Sequence, residues 1–214
     1  MIKLRLLISV LVIGIGSVAS AGHLVTNGGF EVSGFSGWTG SAVSDSINNF
    51  VGGMSAVGIM PNEGSKQAYF GNTSPEVISQ SLSTTVNGSE TIAFALADIA
   101  GSNTDYVKVY FGGTPTASTV VGGTLLATIS NTGSGYKTYS YNATATSSST
   151  ILSFLITNPG GGWALDAISV TETNGGGIAV PEPSTFVLAC VACVTVLART
   201  LFRRRKEKLG EVIA

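Results

Sequence analysis

Ile151-Leu152-Ser153-Phe154-Leu155-Ile156-Thr157, Asn158-Pro159-Gly160-Gly161-Gly162, Trp163-Ala164-Leu165-Asp166-Ala167-Ile168-Ser169-Val170: this stretch decides the fold class. Side chains along a strand alternate between faces, so the first run places Leu152, Phe154 and Ile156 together on one side. A proline and three glycines then break the chain direction, and the run from Trp163 reads as the last strand. Working outward, the same grammar recurs. Ile78 and Leu82 alternate with polar neighbours, and residues 91–99 are apolar enough for a buried central strand. Further strands read at 106–111, 125–129 and 136–141, with Gly112-Gly113-Thr114-Pro115 as a turn and Tyr139 and Tyr141 on one face. Helical periodicity is nearly absent. Many short strands divided by Gly, Asn and Pro predict an all-β, antiparallel two-sheet sandwich.

Charge narrows the function classes. Residues 22–180 contain the basic residues Lys66, Lys108 and Lys137 against Glu31, Asp45, Glu63, Glu76, Glu90, Asp98, Asp105, Asp166 and Glu172, a net charge of about −6. The whole chain stands at −1 because its two ends are basic. So few cations exclude nucleic acid as a partner, since phosphate neutralisation supplies most of that affinity. Cys190 and Cys193 lie in the apolar tail, so the body has no disulfide and depends on packing or a bound ion.

The two ends read as export signals. Lys3 and Arg5 precede the apolar residues 6–15 and the small residues Ala19-Ser20-Ala21, a signal peptide over 1–21 for signal peptidase. A β-domain is expected over 22–173 and a glycine-rich linker over 174–179. The chain then runs Val180-Pro181-Glu182-Pro183-Ser184-Thr185, an apolar stretch, and the cluster Arg203, Arg204, Arg205 and Lys206. Pro181 and Pro183 lack amide donors and hold that motif extended, so a helix begins only after it. Residues 184–202 are long enough for a single transmembrane helix, and the basic cluster stops transfer, leaving a cytoplasmic tail at 207–214. In this order, residues 180–206 resemble the PEP-CTERM sorting signal of exported bacterial proteins. That resemblance implies an exosortase-type processing enzyme as partner. It also implies an inner-membrane intermediate and delivery to the cell surface or exopolysaccharide matrix. The plainer alternative is a C-terminal anchor.

The body opens with Leu24-Val25-Thr26-Asn27-Gly28-Gly29-Phe30-Glu31 and Gly37-Trp38, and closes with Leu165-Asp166-Ala167-Ile168-Ser169-Val170. Between them come Gly64-Ser65-Lys66-Gln67-Ala68-Tyr69-Phe70-Gly71 and Ile78-Ser79-Gln80. Taken together they resemble the jelly-roll carbohydrate-binding modules of the galactose-binding-like superfamily. The resemblance implies a jelly roll and one structural Ca²⁺ held by Glu31 and Asp166, with backbone carbonyls near Asn27 and in the 64–66 turn. Paired carboxylates repel unless a cation or proton stands between them, and Ca²⁺ takes oxygen ligands. Ala167 stands where the closing motif often has a second acid. The competing reading makes Glu31 and Asp166 solvated edge residues or hydrogen-bond acceptors.

Such modules stack sugars on aromatic rings. Tyr106, Tyr110, Tyr136, Tyr139 and Tyr141 are candidates, with Asn103 and Asp105 beside the first, and sheet packing is the competing role for each. Trp38 and Trp163 read as core. Catalysis has little to build on: the only histidine, His23, sits near the expected mature start, and no carboxylate pair stands out for glycoside hydrolysis. The expectation is a non-enzymatic, glycan-binding-like protein whose partner is extracellular polysaccharide. The alternatives are a structural or adhesive matrix protein and, behind it, a glycoside hydrolase.

Overall fold

The computed structural model describes residues 22–99, 104–130 and 132–173. The signal peptide, the linker, the sorting motif Pro181, Glu182 and Pro183, the stop-transfer cluster and Asn103 all lie outside them. Among the described residues, no helix is long and apolar enough to cross a membrane.

Among the described residues, eleven strands carry the fold: β1 (Asn49–Gly52), β2 (Gln67–Phe70), β3 (Glu76–Ser83), β4 (Ser89–Asp98), β5 (Tyr106–Phe111), β6 (Thr114–Pro115), β7 (Val120–Val121), β8 (Thr124–Ile129), β9 (Lys137–Thr144), β10 (Ser149–Thr157) and β11 (Trp163–Glu172). Two single-turn helices, α1 (Ser41–Ser44) and α2 (Met54–Val57), flank β1. One sheet runs β1-β2-β11-β4-β9 and the other β3-β10-β5-β8, with a small β6-β7 hairpin beside them. All the pairings are antiparallel. The described residues form an all-β, antiparallel jelly roll.

The core forms where the inner faces meet, because each sheet must bury one apolar side. Phe94 of β4 and Phe154 of β10 meet edge to face at 5.2 Å, one ring from each sheet. Trp38 packs against Phe154 and stacks on Phe30, while Trp163 is fully buried, as expected of both tryptophans. Their indole N–H groups donate to the carbonyls of Asn27 and Thr157, so neither polar atom is stranded in the core. The turn at 158–162 is tied by Asn158, whose side chain accepts from the Gly161 amide and donates to the Phe70 carbonyl. It joins strands of different sheets, so β10 and β11 share a turn without pairing.

The opening segment is pinned between the layers. Its backbone pairs with β11 through Leu24 N to Val170 O (2.9 Å) and Ile168 N to Gly28 O (3.0 Å). A Cβ on Gly28 would run into the Ile168 carbonyl, which is why this close approach takes glycine. Gln80 of β3 grips the same segment from the other sheet. Its Oε1 accepts from Thr26 N at 2.7 Å, and its Nε2 donates to the carbonyls of Thr26 and Gly37. The Ile78-Ser79-Gln80 motif is therefore a structural clamp.

Candidate functional site

Glu31 and Asp166 come from distant parts of the chain and are drawn to one short loop. β11 carries a bulge between Asp166 and Ser169 in its pairing with β4. Ala167 lies within it in the left-handed region, at φ 51°. Phe30, one residue before Glu31, is also left-handed at φ 56°. A side chain there costs about 1–2 kcal/mol, so strained backbone adjoins both carboxylates.

The loop before β2 supplies the donors. Asp166 Oδ2 accepts from the amides of Asn62 (2.8 Å) and Glu63 (3.0 Å), and its Oδ1 from the Ala167 amide (2.8 Å). Glu31 Oε1 accepts from the amides of Ser65 and Lys66, both at 2.7 Å, and its Oε2 from the Ser65 hydroxyl. Lys66 Nζ donates to the Glu31 carbonyl. A Cβ on Gly64 would fall against Glu31 Oε1, and one on Gly29 would stand 2.6 Å from Glu63 Oε1. Three acids thus crowd a glycine-lined turn. Among the described residues, no group of three His, Cys, Asp or Glu side chains is arranged to hold a metal. An ion here would rest on two carboxylates and backbone oxygens. The Asn27 carbonyl already accepts from the Trp38 indole and the Phe30 amide.

The two carboxyls respond differently to their surroundings. Glu31 lies in water, and the Ser65 hydroxyl with the Ser65 and Lys66 amides holds it below the usual range. Asp166 is wholly buried, and that burial raises it to about 6 although three amides oppose the shift. The Glu63 charge adds to the rise. Asp166 therefore carries a buried negative charge at neutral pH with amides as its direct partners. Both of its oxygens already accept from amides, which is the hydrogen-bond-acceptor role that competes with an ion.

Asp166 also belongs to the outer face of the five-stranded sheet. There Ala97 and Ala164 are buried under the half-buried Phe50, Ile59, Tyr69, Ile99 and Tyr136. Phe50 and Tyr69 rings lie 5.0 Å apart. Tyr136 donates to Gln67 Oε1, and Gln67 Nε2 donates to the Ile59 carbonyl. Aromatic rings thus cover small alanines on this face, and the Gln67 and Asp166 side chains are fully buried there. Phe50, Gln67 and Tyr69 escaped sequence reasoning because β1 and β2 are only four residues long.

The other tyrosines divide. Tyr139 and Tyr141 stack on Phe94 at 5.5 and 6.1 Å, facing the core. Tyr110 packs with Val77, Val120 and Leu155 under the β6-β7 hairpin. Tyr106 lies on the outer face of the four-stranded sheet with Lys108 Nζ 5.0 Å above its ring, while Asp105 is buried. His23 is exposed and bridges to Thr171 at the end of β11.

No protein-family model matches the chain, and no curated protein does. Solved structures match its fold. The CBM22-1 xylan-binding domain from Paenibacillus barcinonensis Xyn10C aligns at a TM-score of 0.50 and 15% identity, over 73% of this chain and 97% of that one. The CBM22-1-CBM22-2 tandem of the same protein gives 0.51 and 15%, over 73% of this chain and 47% of the tandem. The K3 cleaved adhesin domain of Lys-gingipain from Porphyromonas gingivalis gives 0.50 and 13%, over 71% and 99%. At these identities the likeness establishes the jelly-roll fold alone.

Proposed function

We propose that the chain is a non-enzymatic exported protein whose β-domain binds an extracellular polysaccharide. The outer face of the five-stranded sheet carries this reading, with the half-buried rings of Phe50, Tyr69 and Tyr136 over small residues. The likeness to a xylan-binding domain supports it. A glycan array tests it, xylan included. Tyr69→Ala and Tyr136→Ala should each weaken retention at least tenfold, while Tyr139→Phe, whose ring stacks on the core, leaves it unchanged. A blank array defeats the binding half. Delivery to the cell surface or matrix follows from the signal peptide and the PEP-CTERM-like tail, with signal peptidase and an exosortase-type enzyme as processing partners. Matrix fractionation of producing cells tests this half, and a chain found only in the cytoplasm defeats it.

A structural or adhesive role without a specific sugar is the second reading. It is favoured by the commitment of Tyr110, Tyr139 and Tyr141 to packing and by the likeness to a cleaved adhesin domain. Surface delivery with a blank array would select it. In both readings Glu31 and Asp166 hold one structural Ca²⁺ that neutralises the charge buried at Asp166. Ca²⁺ should raise the melting temperature over that in EDTA, and Glu31→Gln should shrink the rise. A melting temperature indifferent to Ca²⁺ refutes the ion.

A further inference from the structure

A second carboxylate pair lies further along β4 and β11. Glu90 and Glu172 are direct cross-strand partners. Glu90 shares its face with Ile92 and Phe94, and alternation along β11 puts Glu172 on the side of Val170, so both carboxylates turn toward the interior. Like charges placed opposite one another destabilise a sheet. Glu90 is wholly buried, and neither of its oxygens has a hydrogen-bond partner; Glu172 Oε1 has none either. Burial and the Glu172 charge push the Glu90 carboxyl above its ordinary range. A buried polar group without a partner is costly, and a buried charge more so.

The oxygens gather around Gly88. The 85–88 turn is held by Gly88 N to Thr85 O (2.8 Å), Asn87 N to Ala145 O (2.8 Å) and Ala145 N to Gly88 O (2.9 Å). Asn87 takes the left-handed conformation this turn needs, at φ 64°. Beside Gly88, where a Cβ would stand, three oxygens converge: Thr85 O at 2.8 Å, Glu172 Oε1 at 2.9 Å and Glu90 Oε1 at 3.2 Å. We infer that Glu90, Glu172 and the Thr85 carbonyl form a cation site, with Ca²⁺ the ion that an all-oxygen, two-carboxylate set selects. This site is separate from the Glu31 and Asp166 loop and does not depend on it.

Equilibrium dialysis of the metal-stripped full chain against Ca²⁺ tests the site. Glu90→Gln and Glu172→Gln should each bind one Ca²⁺ fewer than the unaltered chain. Gly88→Ala, whose methyl would press the three oxygens apart, should weaken that ion at least tenfold. In EDTA, Glu90→Gln should melt at or above the unaltered chain, because a neutral amide replaces an unpaired acid of the same shape. If it does not fold, half-exposed Glu172→Gln gives the same reading. Unchanged Ca²⁺ stoichiometry in the Glu90 and Glu172 variants overturns the inference. Glu31→Gln separates the sites: an ion lost there and kept in Glu90→Gln belongs to the 62–66 loop alone.

Discussion

Asp166 and Glu90 are both wholly buried acids on paired strands, yet the fold treats them in opposite ways. Asp166 receives three amides, two from the 62–63 loop and one from its own bulge. Glu90 receives none and faces a second carboxylate. Both are raised above their ordinary range, by burial first in each case. Amides lower the cost of a buried charge without cancelling it, whereas an unpaired facing acid adds to it. Amide-rich Asp166 therefore ties loop to strand, and amide-free Glu90 is left to recruit its own partner.

Truncation should break this contrast most visibly. At pH 5, Asp166→Ala orphans the Asn62, Glu63 and Ala167 amides and should cost about 3 kcal/mol in urea unfolding. Glu90→Gln in EDTA should cost nothing. Equal losses from the two would refute the distinction.

Acidity gives the next largest effect. Asp166 has its folded pKa raised from 3.8 to about 6, so the folded state holds its proton more tightly. The associated stability is fully present below pH 3.8 and is lost as pH rises through about 6. Metal-free chain should lose about 2 kcal/mol between pH 4 and 6.5, after allowance for water at the loop. Glu90 and Glu76 are raised too and add in the same direction, while Glu31 and Asp45 are lowered and act oppositely at lower pH. Saturating Ca²⁺ should flatten the slope. A slope indifferent to the ion would mean that neither pair binds it.

The smallest effect sharpens the account of the bulge. Ala167 occupies a left-handed conformation that glycine adopts without strain, so Ala167→Gly should stabilise the domain by about 0.5 kcal/mol. A loss in thermal melting would mean that the Ala167 methyl packs to an advantage larger than its strain.

Much of the fold was legible in the chain. The expected strands at 106–111, 125–129 and 151–157 lie within or match β5, β8 and β10, and the apolar run at 91–99 is nearly all β4. Long strands carry several cycles of alternation, so their period survives local noise. β1, β2 and the β6-β7 hairpin carry too few. Tyr139 and Tyr141 were placed correctly on one face, but alternation does not say that the face is the core. Likewise, the 158–162 turn was plain, but not that it crosses between sheets.

Composition and order settled that this chain makes an acidic, cysteine-free β-domain, since charge count, turn residues and strand period are local properties. That Glu31 and Asp166, 135 residues apart, bond one loop, and that Glu90 faces Glu172 across 82 residues, was settled by register and by loops whose amides point one way. A carboxylate's charge is written in its formula. What opposes that charge depends on the neighbours folding brings, and here two pairs of acids received amide donors in one case and, at Glu90, none in the other.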